Sequence, residues 1–155
     1  MADHVVLDGT TLSPQLLQRI SAGASVSLAA GSVERMAAGR RIVDRYLGES
    51  IPAYGLTTGL GMRADQMLTP EAAAEFSYRT VRGRAQAVGP LLSSEEVRAV
   101  MAVRLNTMLS GASGASAEIA PALVNALNHG FVAAMPGSAP SEPATSLPWP
   151  RSLMP

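Results

Sequence analysis

Cysteine is absent from this 155-residue chain, and so is lysine; all twelve basic residues are arginine. Without cysteine there is no disulfide framework, no thiol nucleophile and no thiolate metal site. Without lysine there is neither a Schiff-base amine nor a P-loop ammonium. Histidine is limited to His4 and His129, far apart in sequence, which argues against an imidazole metal centre. Aromatic residues make up only 4% of the chain, so a core must be built from Ala, Leu, Val, Ile and Met, a mixture that favours helices over strands. Twelve acidic residues cancel the arginines, and no charge excess points to nucleic acid or to an anionic membrane. No apolar run reaches membrane-spanning length, and the polar start Met1-Ala-Asp-His lacks the apolar stretch of a signal peptide. The expectation is a cytoplasmic protein. What is abundant is apolar character, 47% of residues, enough for one domain with a real core.

The pattern along the chain is mostly helical. Val5-Val6-Leu7 is a short β-prone run closed by the turn pair Asp8-Gly9. Ser13-Pro14 reads as an N-cap followed by proline at the first helical position, and Gly23 ends that helix. Ser25–Leu28 alternates as a strand would. A longer helix is predicted from about Ser32 to Leu47, with Val33, Met36, Val43 and Leu47 along one side. From Gly48 to Leu68 glycine and proline break any pattern. Thr69-Pro70-Glu71 starts a helix expected to run to about Ala87. Ser93 and Glu96 offer a capping box for a helix whose apolar face carries Val97, Val100, Met101, Leu105, Met108 and Leu109. After the small-residue stretch Gly111–Gly114, a last helix reaches Asn128, with Ile119, Leu123, Val124 and Leu127 on one side. Six of the eleven prolines fall in the final 25 residues, and the segment from Ser138 on reads as a disordered tail.

The segment with most chemical content is Tyr54-Gly-Leu-Thr-Thr-Gly-Leu-Gly61. It is a glycine-rich loop holding one phenol. It has neither the lysine and spacing of a phosphate loop nor a convincing strand before it. Glycines there let a backbone approach a ligand closely; equally, the loop suits a surface turn with a packed tyrosine.

Its surroundings narrow the choice. Tyr-Gly-x-x-Thr-Gly-x-Gly resembles the tyrosine loop of the aromatic amino acid ammonia-lyases, the family of histidine and phenylalanine ammonia-lyase. Three further stretches resemble that family in the same order: Leu7-Asp-Gly-x-Thr-Leu12, Arg104-x-Asn-x-x-x-x-Gly-x-Ser-Gly114, and Leu127-Asn-His-Gly130 with Pro136 and Gly137-Ser138 after it. The resemblance covers about residues 5 to 138. It implies a mainly α fold, the N-terminal domain of the L-aspartase/ammonia-lyase-like helical architecture with a few short strands. It implies an elimination of ammonia from an aromatic L-amino acid, or in some relatives a shift of the amine to the β-carbon. The electrophile would be a methylidene-imidazolone cyclised from an internal Ala-Ser-Gly, and the assembly a homotetramer whose sites combine several subunits. Tyr54 would be the base that removes the β-hydrogen. A phenol ionises at about pH 10, so a helix N-terminus or a cation aimed at such a base would be needed near neutral pH. Gly55 and Gly59 would let the loop close, and Leu60, Gly61, Gly83 and Arg84 would contact substrate.

Two departures from the family pattern matter. Histidine ammonia-lyases carry Ser-His-Ala where this chain has Gly83-Arg84-Ala85. A fixed cation at that place would disfavour a cationic ring and favour an acidic or oxygen-rich one. Arg84 also suits a solvated helix face shared with Arg79 and Arg82, so histidine is not named as substrate. Second, Gly137-Ser138 runs into Ala139-Pro140-Ser141 and not into Ala-Ser-Gly-Asp-Leu. Ala112-Ser113-Gly114 has the right letters in the wrong context. The expectation is therefore an ammonia-lyase-like N-terminal domain over residues 1–137, inactive alone, followed by a tail at 138–155 of out-of-frame character. The alternatives are an aminomutase of the same family, a non-catalytic helical interaction module, and a regulatory subunit lending Tyr54 to a longer relative.

Overall fold

A computed structural model of the protein describes residues 3–85 and 87–138. The tail expected from Ser138 lies, from Ala139 on, outside the described residues, as does its out-of-frame character. Two short strands, β1 (His4–Leu7) and β2 (Ser25–Leu28), pair in parallel with Val5 opposite Val26. Helix α1 (Pro14–Ser21) connects them, and Ser13 caps it by accepting the Leu16 N–H at 3.2 Å. Helix α2 (Ser32–Gly48) follows, then an irregular stretch holding a 3₁₀ turn at Gly61–Arg63. Helix α3 (Pro70–Arg84) comes next, then α4 (Ser94–Leu109) and α5 (Ile119–Asn128). The capping box of α4 forms as the sequence predicts, and Pro121 costs nothing because the first turn of a helix has no intrahelical acceptor for its N–H groups.

The core lies where α1, α4 and α5 meet the two-stranded sheet, with Leu7, Ile20, Val26, Leu105, Leu109 and Leu127 closed from solvent. Helix α4 organises it with most of the predicted face: Val97, Met101, Leu105 and Leu109 are buried and Met108 packs against them, while Ala102 joins and Val100 does not. At about 100° per residue, its buried positions Val97, Met101, Ala102, Leu105 and Leu109 form an arc centred on Arg98. Val100 lies outside that arc and is 46% exposed. An arginine sits mid-face because backbone acceptors converge there. Its Nε donates to the Ile20 carbonyl at 2.9 Å, Nη2 to Ala24 at 3.0 Å and Nη1 to Leu127 at 2.6 Å. Ile20 and Leu127 belong to the last turns of α1 and α5, where carbonyls lack intrahelical donors and the helix dipole favours a cation. Asn128 completes the arrangement. Its amide accepts from the Val26 N–H at 2.8 Å and donates to the Val26 carbonyl at 2.9 Å, occupying β2 as a neighbouring strand would.

The conserved-looking stretches near the two ends of the core turn out to interlock. The Gly9 N–H donates to Asn106 Oδ1 at 3.0 Å, and a Cβ on Gly9 would stand 2.6 Å from the Ser110 nitrogen. Asp8 accepts the N–H groups of Thr10 and Thr11 at 2.7 and 2.8 Å, while Arg35 donates to its carbonyl. Gly39 on α2 faces Gly111 so closely that a Cβ would overlap the Gly111 carbonyl oxygen.

Two elements depart from the sequence reading. Helix α3 stops at Arg84 and not near Ala87, and residues 88–91 form a strand, β3 (Val88–Leu91), antiparallel to β4 (Pro136–Ser138). Gly89-Pro90 reads locally as a break, and only a partner distant in sequence makes this stretch a strand. A two-stranded ribbon leaves outer edges that need no N–H, which is where proline is tolerated.

Replacing Arg98 with Met should cost about 3 kcal/mol, because three backbone acceptors lose a charged donor at once. Arg41→Met on exposed α2 surface should stay within about 0.5 kcal/mol; urea unfolding of both variants checks this. The carboxyl of Asp8 is held well below its usual range by the Thr10 and Thr11 N–H groups. A depressed carboxylate contributes stability that is present above its unfolded pKa and lost as pH falls. Stability should therefore decline below about pH 4, and Asp8→Asn should flatten that decline in pH-dependent unfolding.

Candidate functional site

Between α2 and α3 the chain folds back on itself, and the carbonyl of Ala53 is the hub. It accepts the N–H groups of Leu56, Thr57 and Thr58 at 3.1, 3.0 and 3.2 Å. The Thr57 hydroxyl donates to the Ile51 carbonyl at 2.6 Å and accepts the Ala53 N–H at 2.8 Å. Thr57 and Thr58 are the buried polar residues of the segment. Pairing of Thr58 with Met67, and of the Gly59 N–H with the Gln66 carbonyl at 3.1 Å, closes the base of the loop.

Glycine is required at two places here. Gly55 has φ +71°, and a Cβ there would also meet Leu60 at 2.9 Å; at Gly59 a Cβ would lie 2.6 Å from the Arg63 carbonyl oxygen. This tight path brings the Gly61 N–H to the Tyr54 phenol oxygen, to which it donates at 3.3 Å. Tyr54 itself is 69% exposed, so its position comes from the backbone and this bond more than from ring packing. Because the oxygen accepts from Gly61, its own proton is free to engage a ligand.

Tyr54 opens onto a cleft of about 480 Å³ lined also by Gly55 and Leu60 on the loop, and by Phe76, Ser77, Thr80, Val81 and Arg84 on α3. Of the residues singled out from the sequence, the structure thus brings together Tyr54, Gly55, Leu60 and Arg84. It sets Gly61 against the phenol oxygen and Gly59 in the loop's bend. Gly83 lies on α3 beside Arg84 without lining the cleft. The sequence reading missed the α3 wall. Its positions 76, 77, 80, 81 and 84 repeat at helical spacing, so stepping back from Arg84 by turns of the helix would have found them.

The three arginines of α3 separate by their partners. Arg79 pairs with Glu75 at 2.6 Å, and the Arg82 guanidinium lies over the Tyr78 ring at 5.6 Å. Arg84 borders the cleft and has no ion-pair partner among the described residues. A cleft with a phenol at one wall and a guanidinium at the other can handle a proton and hold an anionic or oxygen-bearing group.

Other chemistry-bearing residues lie elsewhere. Ala112-Ser113-Gly114 forms the turn after α4; Ala112 and Ser113 are exposed, Gly114 packs on Val43, and none of them lines the cleft. Arg104 stands on the outer face of α4. His4 bonds Ser25 and Ser27, each at 2.9 Å, and His129 bonds the Asn125 carbonyl. Among the described residues no group of three His, Asp or Glu side chains could hold a metal, and no helix is long and apolar enough to cross a membrane.

The sequence model of the aromatic amino acid lyase family matches residues 12–139. A histidine ammonia-lyase of Streptomyces griseus is 37% identical over 130 residues, 83% of this chain and 25% of that protein. An MIO-dependent tyrosine 2,3-aminomutase of Streptomyces globisporus is 33% identical over 133 residues, 85% of this chain and 25% of that protein. Among solved structures, the ergothioneine-degrading ergothionase of Treponema denticola, in complex with desmethyl-ergothioneine sulfonic acid, superposes with a TM-score of 0.82 at 28% identity, covering 88% of this chain and 28% of that one. The chain spans about a quarter of the length of the curated relatives it matches.

Tyr54→Phe should remove the acceptor of the Gly61 N–H and nothing else. The Gly61 amide resonance should move in an NMR spectrum of the labelled chain, and stability should stay within about 0.5 kcal/mol, since the phenol is exposed.

Proposed function

Because the chain belongs to the aromatic amino acid lyase family, we propose that its described residues form the proton-abstracting side of an active site that removes ammonia from an aromatic L-amino acid. The observation that carries this reading is the Tyr54 phenol, anchored by the Gly61 N–H at the wall of a substrate-sized cleft. In the elimination the Tyr54 oxygen, having given up its own proton, takes the β-hydrogen as a proton; the C–H bond pair becomes the α,β double bond and the C–N bond pair leaves with ammonia. Leu60, Gly61 and Arg84 would contact substrate, with Gly83 leaving room beside Arg84. The Arg84 guanidinium would disfavour a cationic ring and favour one bearing an acid or hydroxyl.

The electrophile that makes the amine a leaving group, a methylidene-imidazolone in our reading, does not fit these residues. Ala112-Ser113-Gly114 is a turn away from the cleft, its first two residues exposed. The group would come from sequence beyond the described residues, so this chain by itself should turn over no substrate, and a homotetrameric assembly would depend on that same sequence. Aminomutase activity is the alternative within the family, since relatives of both kinds match the chain. A second reading, a non-catalytic interaction module, is favoured by α3, whose fifteen residues include none that is buried.

The test grafts residues 12–138 in place of the matching quarter of the S. griseus enzyme. The graft should release ammonia, and Tyr54→Phe in it should lower kcat by about 10²-fold or more. Arg84→Gln should raise kcat/KM for a cationic ring relative to an acidic one by about tenfold. An unsaturated acid product marks a lyase and a β-amino acid marks a mutase. A folded tetrameric graft that forms neither product sinks the catalytic reading, and turnover by the unfused chain sinks the claim that it is inactive alone.

A further inference from the structure

The proton-abstracting role of Tyr54, on which this inference rests, raises the question of what holds an exposed phenol in place. We propose that Thr57 is the positioning residue for Tyr54, acting through the two peptide units that precede it. The tyrosine ring is 69% exposed, so packing alone cannot fix its direction. The backbone leading into it is held instead, by three N–H donors on the Ala53 carbonyl and, on either side of Pro52, by one side chain. The Thr57 hydroxyl donates to the Ile51 carbonyl at 2.6 Å and accepts the Ala53 N–H at 2.8 Å. These bonds use its proton and a lone pair on groups either side of Pro52, directly before Tyr54.

The bond lengths separate Thr57 from its equally buried neighbour Thr58. Thr57 is 4% exposed, so water cannot readily replace either bond. The hydroxyl of Thr58 reaches the Ala53 and Gly59 carbonyls only at 3.3 and 3.4 Å, beyond the usual range for a strong O–H···O bond. The main chain of Thr57 is held independently, its N–H by Ala53 and its carbonyl by the Leu68 N–H at 2.9 Å. Removing the hydroxyl alone therefore releases the Ile51 carbonyl and the Ala53 N–H, while the Ile51 N–H stays on Tyr46 and the Ala53 carbonyl keeps its three backbone donors. The phenol oxygen stands at the far end of a lever pivoting on Ala53, so a small rotation there breaks its 3.3 Å bond with Gly61. A displacement of about 1 Å at a reacting atom is enough to cost about 10²-fold in rate.

The test reads the Gly61 amide in the full ¹⁵N-labelled chain, with Tyr54→Phe as the reference for a broken bond. Thr57→Val, nearly isosteric but without the hydroxyl, should move the Gly61 resonance to its Tyr54→Phe position and speed its hydrogen exchange. Thr57→Ser, which keeps both bonds, should leave it close to wild type, and Thr58→Val should move it less than Thr57→Val does. In the unaltered chain, a slowly exchanging Thr57 hydroxyl proton should be visible, a readout that needs no variant to fold. The proposal is overturned if that proton is absent, if folded Thr57→Val leaves Gly61 unmoved, or if Thr57→Ser moves it as far as Thr57→Val. Should Tyr54→Phe itself leave Gly61 unmoved, the phenol contact is not made and the reading of Tyr54 falls together with that of Thr57. A response to Tyr54→Phe but not to Thr57→Val removes Thr57 alone.

Discussion

One guanidinium joins the parts of this domain that hydrophobic packing alone would leave loosely arranged. Arg98 reaches the end of α1, the start of β2 and the end of α5 through three carbonyls. The Ile20 and Leu127 carbonyls each also accept one N–H, from Gly23 and Gly130, so the guanidinium fills their second acceptor position and supplies the donor for Ala24. The apolar arc around it, from Val97 to Leu109, then closes against a sheet of only two strands. So small a sheet is marginal by itself. Asn128 supplies the missing neighbour for β2, and α5 holds Asn128 in place.

Glycine plays two distinct parts in the same chain. Gly9, Gly39 and Gly111 are contact glycines, where a Cβ would strike a neighbouring backbone atom, and they set how α2 and the β1 turn seat against the end of α4. The family-like stretches Asp-Gly-x-Thr and Arg-x-Asn…Gly-x-Ser-Gly serve this packing and lie outside the cleft. Gly55 and Gly59 are path glycines. They bend the chain so that a backbone N–H meets a phenol oxygen seven residues earlier. The core therefore owes its rigidity to backbone contact, and the cleft owes its shape to a loop braced by two buried threonines. Helix α3 forms the opposing wall with no buried residue of its own, and the body of the domain does little to fix it.

Much of this was legible before any coordinates, and the reason is local. Ser13-Pro14, Thr69-Pro70 and the Ser93 and Glu96 box mark helix starts because the capping side chain and the N–H it satisfies lie within three residues. Tyr54, Gly55, Leu60 and Arg84 could be named only because the loop and the stretches around it resemble a known family in their order; the loop's composition alone suits a surface turn equally well. The α3 wall was within reach, through helical spacing from Arg84, but the apolar and hydroxyl residues of that face carry no chemical signature.

The sequence by itself determined where helices begin, that the core is aliphatic, that cysteine and lysine chemistry is excluded, and which glycine-rich loop holds a phenol. All of these depend on residue type or on neighbours a few positions apart. Tertiary structure alone decided the rest. It placed a charged arginine at the centre of α4's buried face, because carbonyls from three segments distant in the chain converge there. It turned Gly89-Pro90 from a break into a strand, because Pro136–Ser138 lies alongside. It set Arg84 on the cleft across from Tyr54, thirty residues earlier in the chain. Each of these is a contact between residues far apart in sequence, and no local pattern encodes the distance that closes when the chain folds.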